Sequence, residues 1–228
     1  MPQMVEKKAI SKAYTPQNAV NINVNEKLIY RCLKRGLDFF GSLFGIILLS
    51  LVFIIVAVAI KLEDPKGRVF FSQKRIGKNG EVFNMYKFRS MISDAESKLE
   101  ELLDMNETTG AMFKMKNDPR VTKIGRVIRK TSIDELPQLF NVLKGDMSLV
   151  GPRPPLPREV KEYSAHHMQR LLVIPGCTGL WQISGRSNIG FEEMVDLDLQ
   201  YIQKRNFLMD IQIIFKTVII IFKNQDAY

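Results

Sequence analysis

The sequence predicts an α+β protein, mainly helical, with one small β-hairpin and a long N-terminal membrane helix. Three observations carry that reading. Phe39 to Ile60 is the longest apolar run, FFGSLFGIILLSLVFIIVAVAI. As a helix it reaches about 33 Å, long enough to cross a hydrocarbon core. Two strand-like segments, VFFSQKRI and EVFNMYKF, lie on either side of Lys78-Asn79-Gly80, and Asn-Gly is the strongest short hairpin signal. Most of what remains carries helical periodicity wherever it carries any. The chain divides into a polar N-terminal tail over 1–30, a membrane segment over 31–62 and a globular domain with interfacial helices over 63–228.

The flanks of the apolar run predict how it enters the bilayer. Arg31, Lys34 and Arg35 precede it; Lys61, Lys66, Arg68, Lys74, Arg75 and Lys78 follow it. Lysine and arginine favour the cytoplasmic side, so a helix that enters and turns back satisfies both ends where a simple span satisfies one. Gly41, Ser42, Gly45 and Ser50 are the residues expected to accommodate the bend.

In the globular domain, Ser93 and Glu96 have capping-box spacing and open an amphipathic helix to about Met105. Residues 106–120 read as a loop. A short basic helix follows, with Ile124, Val127 and Ile128 expected inward. Ser132 and Glu135 again have capping-box spacing, which starts a helix running to about Leu143 and stopping at Lys144-Gly145. Gly151 to Pro157 holds four prolines around Arg153, so it is rigid and non-helical. Pro175 to Arg186 reads as a Gly-rich loop with the only tryptophan, Trp181. Helical segments follow over Phe191 to Asn206 and over Ile211 to Phe222, the second apolar but too short to span.

Charge and motif content narrow the function. A net charge of +9 over 228 residues requires an anionic partner. No nucleic-acid module is present to carry that charge, and its concentration beside an apolar run points to anionic lipid and phosphate. Cys32 and Cys177 make no disulfide framework, and His166 and His167 have no zinc-ligand spacing. Gly125 to Thr131 lacks the second glycine of a P-loop. There is no Rossmann fingerprint and no Gly-x-Ser-x-Gly elbow.

The chemistry-bearing stretch is Thr131-Ser-Ile-Asp-Glu-Leu-Pro-Gln138. Alone, Asp134 and Glu135 read as a helix cap, because acids favour first turns for dipole reasons. Arg126, Arg129 and Lys130 before them and Arg153 after them change the reading. Adjacent carboxylates among arginines and backbone N–H donors suit phosphate chemistry with a divalent metal.

Several stretches together resemble the bacterial sugar transferases, the monotopic phosphoglycosyl transferases. They are Lys34-Arg35-x-x-Asp38, the apolar run, Val69-Phe-Phe71 with Gln73 and Arg75, Lys87-Phe-Arg-Ser-Met91, Thr131 to Gln138, Leu143 to Pro154 and Pro175 to Arg186. The resemblance covers about residues 31–223. Larger members carry further N-terminal spans, so this chain resembles their catalytic portion. The resemblance implies transfer of a sugar-1-phosphate from a UDP-sugar to polyprenyl (undecaprenyl) phosphate, with UMP released, a covalent intermediate and Mg²⁺. It implies Asp134 as nucleophile and Glu135 as metal ligand, with Asp134 beside the same ion. Lys87, Arg89, Arg129 and Arg153 would hold phosphates, and Gln182, Arg186 and Asp198 complete the substrate-binding candidates. It places the domain on the cytoplasmic face of the bacterial plasma membrane, in surface-glycan synthesis, and leaves homo-oligomerisation open. Many members have Ser-Pro at the helix break, where this chain has Ser50-Leu51. The alternative from another class is a non-catalytic membrane-surface scaffold of a glycan-assembly complex, which would not require Asp134-Glu135 beside Arg129 and Arg153.

Overall fold

The structure, a computed structural model, describes residues 27–95, 97, 98, 102, 115, 117–185 and 189–223, with Ile22 and Val24. Its described part is mainly helical, with the predicted hairpin and a second two-stranded sheet. The apolar run belongs to two helices, α1 (Leu28–Leu48) and α2 (Ser50–Glu63), which meet at Leu49 with a bend of 60°. Among the described residues no single helix is long and apolar enough to cross a membrane, but this bent pair passes that test together. The break falls beside Ser50 as expected, yet the small residues before it serve packing. A Cβ on Gly41 would stand 2.8 Å from Leu149 Cδ1, and one on Gly45 would stand 3.1 Å from Leu139 Cδ1. They let α1 lie close against the domain, while Phe40, Phe44, Ile47, Leu51, Ile54 and Ile55 face outward.

Strands β1 (Phe70–Ile76) and β2 (Val82–Phe88) pair antiparallel, with Phe71 opposite Lys87 and Ile76 opposite Val82. Asn79 and Gly80 both take positive φ, 56° and 80°, and the Glu81 N–H donates to the Lys78 carbonyl. A type I′ turn needs that pair of dihedrals, and Asn-Gly adopts them at little cost. The helix expected from Ser93 is not seen in its described residues: 93–95, 97 and 98 are turns, and most of the segment lies outside the described residues.

Helix α3 (Lys123–Lys130) is capped by Thr122, whose hydroxyl accepts from the Gly125 N–H. It buries Ile128, but Val127, expected inward, is 60% exposed. Gly125 is there because α3 crosses the backbone of Ser90. A Cβ would fall 1.9 Å from the Ser90 carbonyl oxygen. Gly125→Ala should therefore cost about 1–3 kcal/mol, read as a lower midpoint in denaturant unfolding with an unchanged slope.

Helix α4 (Gln138–Lys144) ends at Gly145 in the left-handed conformation, as predicted. Strand β3 (Ser148–Val150) pairs parallel with β4 (Gly176–Thr178). Short helices α5 (Pro157–Lys161) and α6 (Ala165–Met168) lie between them. After β4 comes helix α7 (Leu180–Ser184), so the stretch read as a Gly-rich loop is a strand and a helix. Helices α8 (Phe191–Lys204) and α9 (Phe207–Lys223) close the domain. The main core gathers Val150, Val173, Val195, Leu199, Tyr201, Ile202 and Ile213. A second, of Val56, Ile60, Phe88 and Ile128, joins α2 to the hairpin and α3.

The charged residues beside the apolar run fasten α1 to the domain. The Lys34 ammonium donates to the Val150 carbonyl at 3.0 Å and pairs with Asp210 at 3.1 Å. Arg35 donates to the carbonyls of Val142 and Leu143, the last turn of α4, where a cation also meets the negative end of the helix dipole. Buried Asp38 accepts from the Ser148 hydroxyl and the Leu149 N–H.

Candidate active site

Asp134 and Glu135 lie on a 3₁₀ turn, Ile133–Glu135, and not in the first turn of a capped α-helix. The capping box does not form. Ser132 takes φ 56°, ψ 15°, with no capping bond from its side chain, and the α-helix begins only after Pro137. The left-handed step at Ser132 turns the chain out of α3, so the two acids sit where the segments join. Ile133 and Leu136 pack into the cluster of Val56, Ile60, Phe88 and Ile128. The acids are thus seated by apolar neighbours on both sides, against α2.

The two carboxylates differ in setting. Asp134 is nearly closed off, its side chain 8% exposed, whereas that of Glu135 is 44% exposed. Lys87, from β2, spans both: its ammonium is 2.6 Å from Glu135 Oε1 and 3.8 Å from Asp134 Oδ2. Burial pushes the Asp134 carboxyl up to about 6, with Lys87 and Arg129 opposing the rise and Glu135 adding to it. Glu135 is held below the usual carboxylate range. Burial works against that, but Lys87, Arg75 and Arg153 outweigh it. Neighbouring acids with separated affinities for a proton suit two roles, one reacting group and one permanent anion.

Arg153 is presented by a loop held at its carbonyls, the handle left where prolines remove N–H groups. Three successive carbonyls are gripped: Arg153 by Arg170 Nη2 at 3.2 Å, Pro154 by Arg75 Nη1 at 3.0 Å, and Pro155 by the Ile76 N–H at 3.0 Å. The Arg153 guanidinium itself rests on Glu159, at 3.1 and 3.4 Å.

Of the predicted site residues, Lys87, Arg129 and Arg153 converge electrostatically on Asp134 or Glu135. Arg89 turns away and pairs with Asp64, reaching Ser93 as well. Asp198 is 1% exposed and holds Arg170 at 2.7 Å, which places it behind the Arg153 loop. Gln182 reaches the Cys177 carbonyl at 3.5 Å and packs beside Gly179 and Gly151. Arg186 lies outside the described residues. Burial and the fields of Glu135 and Asp38 push the Cys177 thiol up, so it is held protonated and unreactive.

Residues 29–224 match the family described as bacterial sugar transferase. The chain belongs to that family. Among curated relatives, it is 52% identical over 186 residues to the galactosyl transferase CpsE of Streptococcus agalactiae serotype III, covering 81% of this chain and 41% of that protein. It is 43% identical over 202 residues to the undecaprenyl-phosphate galactose phosphotransferase of Salmonella typhimurium, covering 87% of this chain and 42% of that one. The exopolysaccharide production protein ExoY of Rhizobium meliloti is 40% identical over 199 residues, covering 86% of this chain and 88% of its own. The chain therefore spans about two fifths of the first two relatives and most of the third.

The donor set of this candidate site is compatible with Mg²⁺. That ion takes one or two carboxylates and completes its shell with substrate phosphates and water, and half-exposed Glu135 beside Asp134 offers that pair. Among the described residues no group of three or more His, Cys, Asp or Glu forms a cage. Sequence reasoning assigned no role to Glu159, Asn141 or Arg170. Their signal is three-dimensional. Asn141, fully buried, accepts from the Tyr86 N–H at 2.9 Å and donates to the Asn84 carbonyl at 2.7 Å, so α4 is stitched to the strand that carries Lys87.

Proposed function

We propose that this protein transfers a sugar-1-phosphate from a UDP-sugar to polyprenyl phosphate, releasing UMP, as an early step in building a surface glycan. The observation that carries the reading is the buried Asp134, ringed by Lys87, Glu135 and Arg129 in the family's shared turn. In the first displacement an Asp134 oxygen attacks the sugar-bearing β-phosphorus. The bond from that phosphorus to the bridging oxygen breaks, and UMP leaves with the electron pair. In the second, a phosphate oxygen of the lipid attacks the same phosphorus. The bond to Asp134 breaks, its carboxylate is restored, and a lipid-linked diphosphosugar departs. One carboxylate can thereby serve a soluble donor and then a membrane acceptor.

Lys87, Arg129 and Arg153 supply the positive field that lets an anion approach a diphosphate. Bound at Glu135 and Asp134, Mg²⁺ would neutralise phosphate charge. The bent pair α1–α2 enters and leaves one face of the bilayer, the cytoplasmic face of the plasma membrane, with exposed Arg31 before the apolar run and Lys61, Lys66 and Arg68 after it in contact with anionic lipid.

The test is UMP release in nanodiscs with polyprenyl phosphate, Mg²⁺ and a panel of UDP-sugars. UDP-galactose comes first because galactose appears in the names of several relatives. No release with any donor would return the chain to the scaffold reading. Cysteine labelling that places residue 25 and residue 150 on opposite sides of the membrane would overturn re-entry.

The rate should also carry the protonation state of Asp134. With a carboxyl raised to about 6, the attacking anion predominates above that pH and is lost below it. The Mg²⁺ proposed beside it would draw that carboxyl down, so kcat/KM should fall about tenfold per unit on the acid side of a limb that moves up toward 6 as Mg²⁺ is lowered. A limb that does not move with Mg²⁺ concentration would contradict a site shared by Asp134 and the ion.

A further inference from the structure

Gln73 and Arg75 belong to the sequence pattern shared with the family, and the mechanism above gives neither a task. Arg75 is 8% exposed. Its Nη1 donates to the Pro154 carbonyl at 3.0 Å and its Nη2 to Gln73 Oε1 at 2.8 Å, while its buried Nε has no partner. Among the described residues no carboxylate forms an ion pair with it. Burying a guanidinium without a counter-ion is costly, and burial with the nearby Arg153 lowers its pKa to about 9. A purely structural brace for one carbonyl does not need a charge, since a neutral amide donates as well. The charge has a use only if an anion is drawn to it, and the carbonyl that Arg75 grips belongs to the loop that presents Arg153.

We propose that Arg75 is a positioning residue for the donor diphosphate, fixing the Pro154 carbonyl so that Arg153 is presented to the phosphates. The proposal rests on the reading of Asp134 and Glu135 as a phosphoryl-transfer pair. Gln73 sets the guanidinium plane by holding Nη2. Arg75 then does two things at once: it orients one arginine through the backbone, and it adds to the positive field over the pair without being quenched by an acid of its own.

The test compares equilibrium binding of UDP with that of uridine, both with Mg²⁺, in the full chain in nanodiscs. Wild type should bind UDP far more tightly than uridine. Arg75→Gln loses the charge, and its shorter amide ends where Nε stands, so the grip of Nη1 on Pro154 goes with it. It should weaken UDP about tenfold or more, the size expected when a charge is removed from a desolvated anion site, and leave uridine unchanged. Arg75→Lys keeps the charge but loses the fork that holds Pro154 and Gln73 together, so its UDP affinity should fall between those of wild type and Arg75→Gln. UDP binding in Arg75→Gln equal to wild type overturns the proposal. So does equal weakening of UDP and uridine in both variants, which marks a brace and nothing more. Where Arg75→Gln does not unfold cooperatively, Arg75→Met is read in its place; if neither folds, Arg75 is a folding residue and the proposal falls. Wild type that binds no UDP removes the donor reading itself, whereas wild-type binding with an indifferent Arg75 removes only this inference.

Discussion

Asp134→Asn is expected to abolish sugar-phosphate transfer, by about 10⁴-fold or more as for other removed nucleophiles, and to prevent any phospho-sugar adduct from accumulating on the protein. The substitution keeps shape and burial but removes the attacking anion. It should also raise thermal stability at neutral pH. The folded-state pKa of Asp134 lies above the unfolded value, raised from 3.8 to about 6. Its contribution to stability is therefore fully present below about pH 4 and is lost as pH rises through 6. At pH 7 the folded protein holds a carboxylate its surroundings disfavour, and asparagine removes that burden. The gain in melting temperature should shrink as pH falls toward 4. An inactive variant that is less stable at pH 7 would indicate that the Lys87 contact outweighs burial. Substantial turnover with UMP release would rule out Asp134 as the nucleophile.

The second large effect is at Asp198. It and Arg170 are almost wholly buried, joined at 2.7 and 2.9 Å, with the Arg170 Nη1 also donating to the Tyr163 hydroxyl at 2.6 Å. Asp198→Ala leaves a guanidinium in the interior without its carboxylate and should cost about 3–5 kcal/mol, read as a large drop in the unfolding midpoint. Replacing both partners, Asp198→Leu with Arg170→Met, removes the stranded charge and should recover much of that loss. Stability and function then separate. The double variant still lacks the donor to the Arg153 carbonyl, so its kcat/KM should stay well below wild type even when its midpoint is restored. A restored midpoint with restored kcat/KM would show that the grip on Arg153 has no catalytic consequence.

What could be read from residue order, and what could not, follows from the range of each signal. Asn79-Gly80 specifies its turn through two local dihedrals, so the hairpin was legible. Lys144-Gly145 marked a helix end for the same reason. The approximate position of the break between α1 and α2 was legible from composition near Ser50, but the purpose of Gly41 and Gly45 was not. Their closeness to Leu149 and Leu139 spans about a hundred positions of sequence. The capping-box pattern at Ser132 misled because that signal is local, and here the chain needed a left-handed step to bring α3, the acids and α4 together. Asp134, Glu135, Lys87, Arg129 and Arg153 were legible as a set because the family pattern names them. Asp198 was misplaced because a charged residue on a helix looks the same in sequence whether it meets a substrate or a buried arginine. Val127 faces out for a related reason: on an eight-residue helix, a single apolar position one place off the buried stripe does not announce itself.

The fastening of α1 has a consequence for how freely such a protein can be rebuilt. Lys34, Arg35 and Asp38 reach Val150, the end of α4 and Leu149, the segments on either side of the Arg153 loop and the acid-bearing turn. Helix α1 is thus not an interchangeable appendage. A chimera that keeps residues 63–223 and borrows an unrelated hydrophobic helix would leave Val150 and the last turn of α4 stripped of their partners. Grafting in this fold has to take the anchor and the domain as one piece.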